Sequence, residues 1–223
     1  MRQFLASLAV VSILAAFAQA HAIYITAAGE KVAVIFSDSL EPDPAVKEST
    51  WKKVGTPDLS ARDAKGKVTV VKTEAAAASL KATAPAGTAL LYGTIPYGVS
   101  TRGDKAKLLT FYPKAVLDGS TGKAATLGES AALEIVPEVE AGKVRFLVLA
   151  NGKPVAKTEV SVMVPEKKES ETVTTDEKGL TPAFDAKGRY GVTVRTTEAK
   201  AGESKGEKYE EIGHTATLVV TVK

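Results

Sequence analysis

Short runs of β-branched and aromatic residues recur along nearly the whole chain: KVAVIF (31–36), KVTVV (67–71), ALLYGTI (89–95), LLTFY (108–112), ALEIV (132–136), KVRFLVLA (143–150), EVSVMV (159–164), YGVTVR (190–195) and TATLVVTV (215–222). The runs are either short and apolar or alternate apolar with polar residues, and a two-residue period puts every second side chain on one face of a strand. The pieces between them, AAGEK, DAKGK, EAGK, ANGKP, TDEKG and DAKGR, supply Gly or Asn where a tight reversal needs positive φ. This rhythm predicts an all-β protein built as two β-sandwich domains of the immunoglobulin or prealbumin-like kind. The one alanine-rich piece, TEAAAASLKA (73–82), fits a short helix or a loop.

The chain opens on Arg2 and the apolar run FLASLAVVSILAAFA, which is too short to span a bilayer and ends in Ala18-Gln19-Ala20. Small residues at both positions read by a signal peptidase predict a signal peptide over residues 1–20 and a periplasmic or secreted mature protein. Removing those 20 of the 223 residues leaves 203, enough to build real cores without staples. The chain has no cysteine, so neither a disulfide framework nor a lipid-bearing cysteine is expected, and no membrane anchor with it.

Loss of Arg2 lowers the formal charge from +3 to +2, and the lysines are interleaved with acids, as in PEKKESETVTTDEKG. Nucleic acid would call for clustered Arg and Lys with aromatics among them, so it is not an expected partner. The segment DGSTGKAATLGES (118–130), small and polar with three glycines, predicts a connection between an N-terminal domain over 21–120 and a C-terminal domain over 131–223. The polar stretch 196–213 predicts a long loop, either a lid or a disordered segment.

Most standard catalytic signatures are missing: there is no G-x-S-x-G, no G-x-x-x-x-G-K-[ST], no H-E-x-x-H and no calcium loop of the D-x-D-x-D-G type. The expectation is therefore a binding protein and not an enzyme. The chain has two histidines, and cleavage after Ala20 would make His21 the first residue of the mature protein. Its α-amine and Nδ1 could then close a chelate ring on one transition-metal ion, with a nitrogen of His214 completing a planar set suited to Cu(II) or Ni(II). Strand parity sets His21 with Ile23 and Ile25, and His214 with Ala216, Leu218, Val220 and Val222, at the heads of two apolar faces. Asp38, Glu41 and Asp43 in SDSLEPDP could add oxygen ligands, with Asp38 and Glu41 taken as the candidates, although the two prolines also fit a plain acidic loop. Trp51, Tyr92, Tyr97, Phe111 and Tyr112 could line a carbohydrate or other ligand groove, or simply fill the core. A copper oxidative enzyme of the histidine-brace kind is the further alternative. It requires His21 and His214 to share one open surface.

In the second half, GKPVAKTEVSV and TDEKGLTPAF resemble the prealbumin-like, carboxypeptidase-regulatory type of sandwich. The N-terminal histidine, VAVIFSDSLEPDPAV, LLYGTIPYGV, LLTFYPKAV and the closing KYEEIGHTATLVV together resemble a bacterial secreted domain-of-unknown-function family. Its better understood relatives are NikK-like periplasmic components associated with nickel and cobalt uptake. The resemblance implies metal binding at His21, with Ni, Co or Cu as the ion and a membrane metal transporter as the partner. Where the uptake relatives tend to carry a second histidine, this chain has Ile23.

If the signal reading is right, N-terminal sequencing of the exported protein begins at His21. A mature chain beginning at Ala22 or later would leave no histidine chelate to form.

Overall fold

The computed structural model describes residues 21–55 and 57–223; the expected signal peptide, 1–20, lies outside the described residues. The first half contains β1 (Ala22–Ala28), β2 (Lys31–Ser37), α1 (Glu48–Val54), β3 (Leu59–Asp63), β4 (Val68–Val71), β5 (Glu74–Ala76), β6 (Ser79–Thr83), β7 (Thr88–Tyr92), β8 (Ile95–Ser100) and β9 (Lys107–Val116). The second contains β10 (Glu134–Glu140), β11 (Lys143–Ala150), β12 (Lys153–Pro154), β13 (Glu159–Met163), β14 (Glu171–Thr174), β15 (Gly188–Glu198), β16 (Gly202–Ser204), β17 (Glu207–Tyr209) and β18 (Glu211–Val222). The protein is all-β, and each run quoted above overlaps a strand, although ALLYGTI is divided at Gly93-Thr94 between β7 and β8.

Two local expectations give way to pairing. Residues 73–82 form neither helix nor loop but the β5–β6 hairpin, because β6 pairs with β2 and buries Leu80 fully. Alanine's helix preference is worth only tenths of a kcal/mol per residue, roughly a tenth of what burying a leucine contributes. The helix forms instead at α1, which places Glu48 in its first turn, buries Trp51 and stops at Gly55 with φ 80°. The polar stretch 196–213 also has structure: β15 runs on to Glu198, and β16 and β17 make a small hairpin before β18.

The strands form three main layers. The middle sheet has nine strands, ordered β14-β13-β15-β18-β9-β7-β3-β4, with β8 also on β9. One core packs this sheet against β10 and β11 through Ala216, Leu218 and Val220 of β18, Val192 of β15, and Ile135 and Phe146 opposite. The other core, on the reverse face, joins it to the β1-β2-β6-β5 sheet through Val219, Phe111 and Ala115 against Ile23, Ile25 and Val34. Alternate residues of the same central strands thus enter different cores, as the pleat requires. At the second interface the Thr217 hydroxyl donates to the Ile23 carbonyl of edge strand β1 at 2.6 Å, and the hydroxyls of Tyr24 and Thr193 meet at 2.6 Å. These bonds satisfy polar groups that burial would otherwise leave unpaired.

Residues 21–120 and 131–223 each supply one outer sheet, but the middle sheet takes strands from both. The segment 118–130 does not hang free between them. It forms two 3-10 turns, Gly122–Ala125 and Gly128–Ser130, docked by charged side chains. Lys114 of β9 donates to Glu134 of β10 at 2.7 Å and to the Ala125 carbonyl at 2.9 Å, while Glu134 accepts from the amides of Leu127 and Gly128. Arg62 donates to the carbonyls of Ala124 and Thr126. Both members of the Lys114–Glu134 pair are about as buried as core leucines, with side chains 3% and 2% exposed.

Burial pushes the Lys114 ammonium down to about 8 against the opposing pull of Glu134. Removing one partner of such a pair strands the other charge, so Lys114→Met should cost about 3–5 kcal/mol in urea unfolding. Between pH 8 and about 10.4 the unfolded chain holds more protons on this lysine than the folded one, so stability through this group rises with pH there. The stability gap between wild type and Lys114→Met should accordingly widen from pH 8 to 10, and a gap that is small and flat with pH would contradict the reading.

Candidate functional site

His21 sits immediately before β1, and the loop after β2 folds back to meet it. Three side chains in that loop accept a backbone amide two residues on: Ser37 from Ser39 at 3.1 Å, Ser39 from Glu41 at 3.2 Å, and Asp43 from Ala45 at 2.7 Å. Such turns, with φ fixed at Pro42 and Pro44, bring the chain round so that Asp43 Oδ2 lies 2.6 Å from His21 Nε2. The hydrogen bond from His21 holds the Asp43 carboxyl below its usual pKa, and the Ala45 amide adds to the effect. An ionised carboxylate can only accept, so Nε2 carries the proton and a neutral ring keeps its lone pair on Nδ1.

Beside this pair lies a groove of about 880 Å³. The His21 ring stands 5.3 Å from Phe36, which stacks on Tyr97 at 5.9 Å and meets Phe111 edge-on at 6.2 Å. Arg102 and Lys107 line the same groove. Lys107 and Lys105 share one carboxylate, Glu211, each at 2.9 Å, and the Lys105 and Lys107 hydrogen bonds hold that carboxylate below its usual pKa.

His214 does not join His21. Its strand neighbours Ala216, Leu218 and Val220 belong to the core under β10 and β11, whereas Ile23 and Ile25 belong to the core on the reverse face. The parallel register pairs His214 with Thr110 of β9, and Tyr112, one step along the same face, brings its hydroxyl to 2.9 Å from His214 Nδ1. The Nε2 side faces Glu198 at 3.6 Å. His21, just before β1, and His214 on β18 therefore lie on opposite sides of the middle sheet, and their rings meet different partners.

The two candidate oxygen ligands have other neighbours. Glu41 is engaged by Arg189 at 2.8 Å, and Asp38 bears instead on Tyr24, whose phenol is raised chiefly by burial. Asp43 is the acid that meets His21. Among the described residues, no group of three or more His, Cys, Asp and Glu side chains is arranged to hold a metal ion. Of the aromatics, Trp51 and Phe111 are buried, Tyr92 and Tyr112 pack half-buried against the first core, and Tyr97, half-buried against the second, lines the groove together with Phe111. Phe36 and Arg102 gave no separate signal in the sequence, since Phe36 reads as one more residue of a strand and Arg102 as one more loop cation.

No family model matches the chain, and no curated protein matches it.

Proposed function

We propose that this is a periplasmic or secreted, non-catalytic protein that binds a Ni(II), Co(II) or Cu(II) ion through His21 of the mature chain and buffers it or hands it to a membrane metal transporter. The observation that carries the reading is the Asp43–His21 pair. Ligating histidines commonly give their second ring N–H to a carboxylate, which fixes the tautomer and raises the basicity of the ligating nitrogen. Here Asp43 takes Nε2. That leaves Nδ1, the nitrogen that can form a chelate with the α-amine of a first residue. Asp43 is then a positioning residue, with Oδ2 facing His21 and Oδ1 occupied by the Ala45 amide.

A second reading, a module for a carbohydrate or other organic ligand, is favoured by the stacked Phe36–Tyr97 pair in the groove. Trp51, at 2% exposure, offers that reading nothing.

Calorimetric titration of the exported protein with Ni(II) and Cu(II) separates these. Inserting one alanine before His21 keeps every side chain but displaces the amine, and should weaken binding at least about a hundredfold, as should His21→Ala. Asp43→Ala should cost about 10–100-fold. His214→Ala should change affinity less than twofold, and binding should weaken as pH falls because protons compete for both nitrogens. Unaltered affinity after the alanine insertion would falsify the chelate.

A further inference from the structure

We infer that the groove beside His21 binds a small aryl carboxylate, its ring laid against Phe36 and Tyr97 and its carboxylate on Arg102. The inference rests on the second reading above, to which it gives a ligand class. It uses neither the α-amine nor Nδ1 of His21, so it stands apart from the metal reading. Phe36, Val46, Tyr97 and Leu109 pack against the second core yet stay partly exposed, and all four line the groove. Neighbouring apolar side chains left open in this way are what a binding groove offers and a closed core does not. Tyr97 is placed among them by a β-bulge: Pro96 pairs with Thr110 and Gly98 with Leu109, so Tyr97 is the extra residue. Gly98, at φ 110°, adds no side chain beside it. Tyr97 stands 5.9 Å from Phe36 at 26° and 5.8 Å from Phe111 at 70°, so the cluster already uses both the stacked and the edge-on geometry that a further ring would extend.

The charged side chains of the lining select the polar end of the ligand. Besides His21 they are Asp43, Arg102 and Lys107. Asp43 is taken by His21 and the Ala45 amide, and Lys107 is answered by Glu211. The Arg102 guanidinium pairs with no carboxylate among the described residues. It rides on the turn between β8 and β9, where its own amide donates to the Ser100 hydroxyl at 3.4 Å. A guanidinium fork matches a carboxylate in shape as well as charge, so one unanswered arginine beside an aromatic wall fits a ligand with one carboxylate and a flat apolar body. A sugar acid would satisfy the arginine but would set its hydroxyls against Val46 and Leu109, which offer them no partner. The hydroxyls of Thr50, Ser100 and Thr101 suffice to orient a substituent on a ring. The volume of about 880 Å³ lies within the roughly 300–1,000 Å³ of small-molecule sites.

Calorimetric titration of the exported protein with trans-cinnamate, cinnamamide and galacturonate tests this directly. Cinnamate should bind at one per chain. Cinnamamide, with the ring but no charge, and galacturonate, with the charge but no aromatic ring, should each bind at least about tenfold more weakly. Arg102→Ala, a substitution at an exposed turn residue, should weaken cinnamate about tenfold and bring it level with cinnamamide. Tyr97→Leu, which keeps apolar bulk against the second core, should weaken it about three- to tenfold. Lys153→Ala in β12, beneath the opposite face of the middle sheet, should leave it unchanged. Galacturonate bound more tightly than cinnamate would overturn the aryl class and leave the second reading standing. Binding of none of the three would overturn both. Cinnamate held equally well by Arg102→Ala, or no more tightly than cinnamamide, would overturn the inference as well.

Discussion

The parallel ladder between β9 and β18, running from Lys107–Glu211 to Val116–Val220, is the contact on which the rest of the structure depends. It joins segments about a hundred residues apart and places β18 at the centre of the middle sheet. Because the side chains of β18 alternate, Leu218 and Val220 close one core while Val219 and Thr217 face the other. Neither core is complete without this strand. A contact of such sequence separation must be reached against considerable loop-closure entropy, which makes its formation a late step in folding on general grounds.

Polar groups fix how the layers sit on that sheet. Apolar contact is non-directional, so it holds layers together without choosing among neighbouring registers. The Lys114–Glu134 pair and the Thr217–Ile23 bond are directional, and both lie where a shifted arrangement would leave a charge or carbonyl buried without its partner. Glu134 also gathers the amides of Leu127 and Gly128, so the same carboxylate that pairs β10 with β9 ties down the connecting segment.

Periodicity made the strands legible, because a strand's alternation is written in its own residues. The hairpin at 73–82 was not legible, since five residues of β6 answer to a partner, β2, 44 to 52 positions earlier. The docked state of 118–130 was hidden for the same reason: small polar residues read as a linker until Arg62, Lys114 and Glu134 are brought to them. Ala216 and Leu218, which parity groups with His214, enter one core, and Ile23 and Ile25, which it groups with His21, enter the other, but nothing local says that these apolar faces belong to different cores. Asp43 stood in view beside Asp38 and Glu41, and only the successive turns at Ser37, Ser39 and Asp43 select it.

His21, at the head of β1, thus stands apart from His214 on β18, with one ring nitrogen held by Asp43 and the other available. The most direct measurement of that arrangement is pulsed electron paramagnetic resonance of the exported protein carrying one equivalent of Cu(II). The account predicts coupling to the remote nitrogen of one imidazole together with one directly bound amine nitrogen, and the same spectrum from His214→Ala. Coupling to two imidazoles, with one lost in His214→Ala, would contradict it.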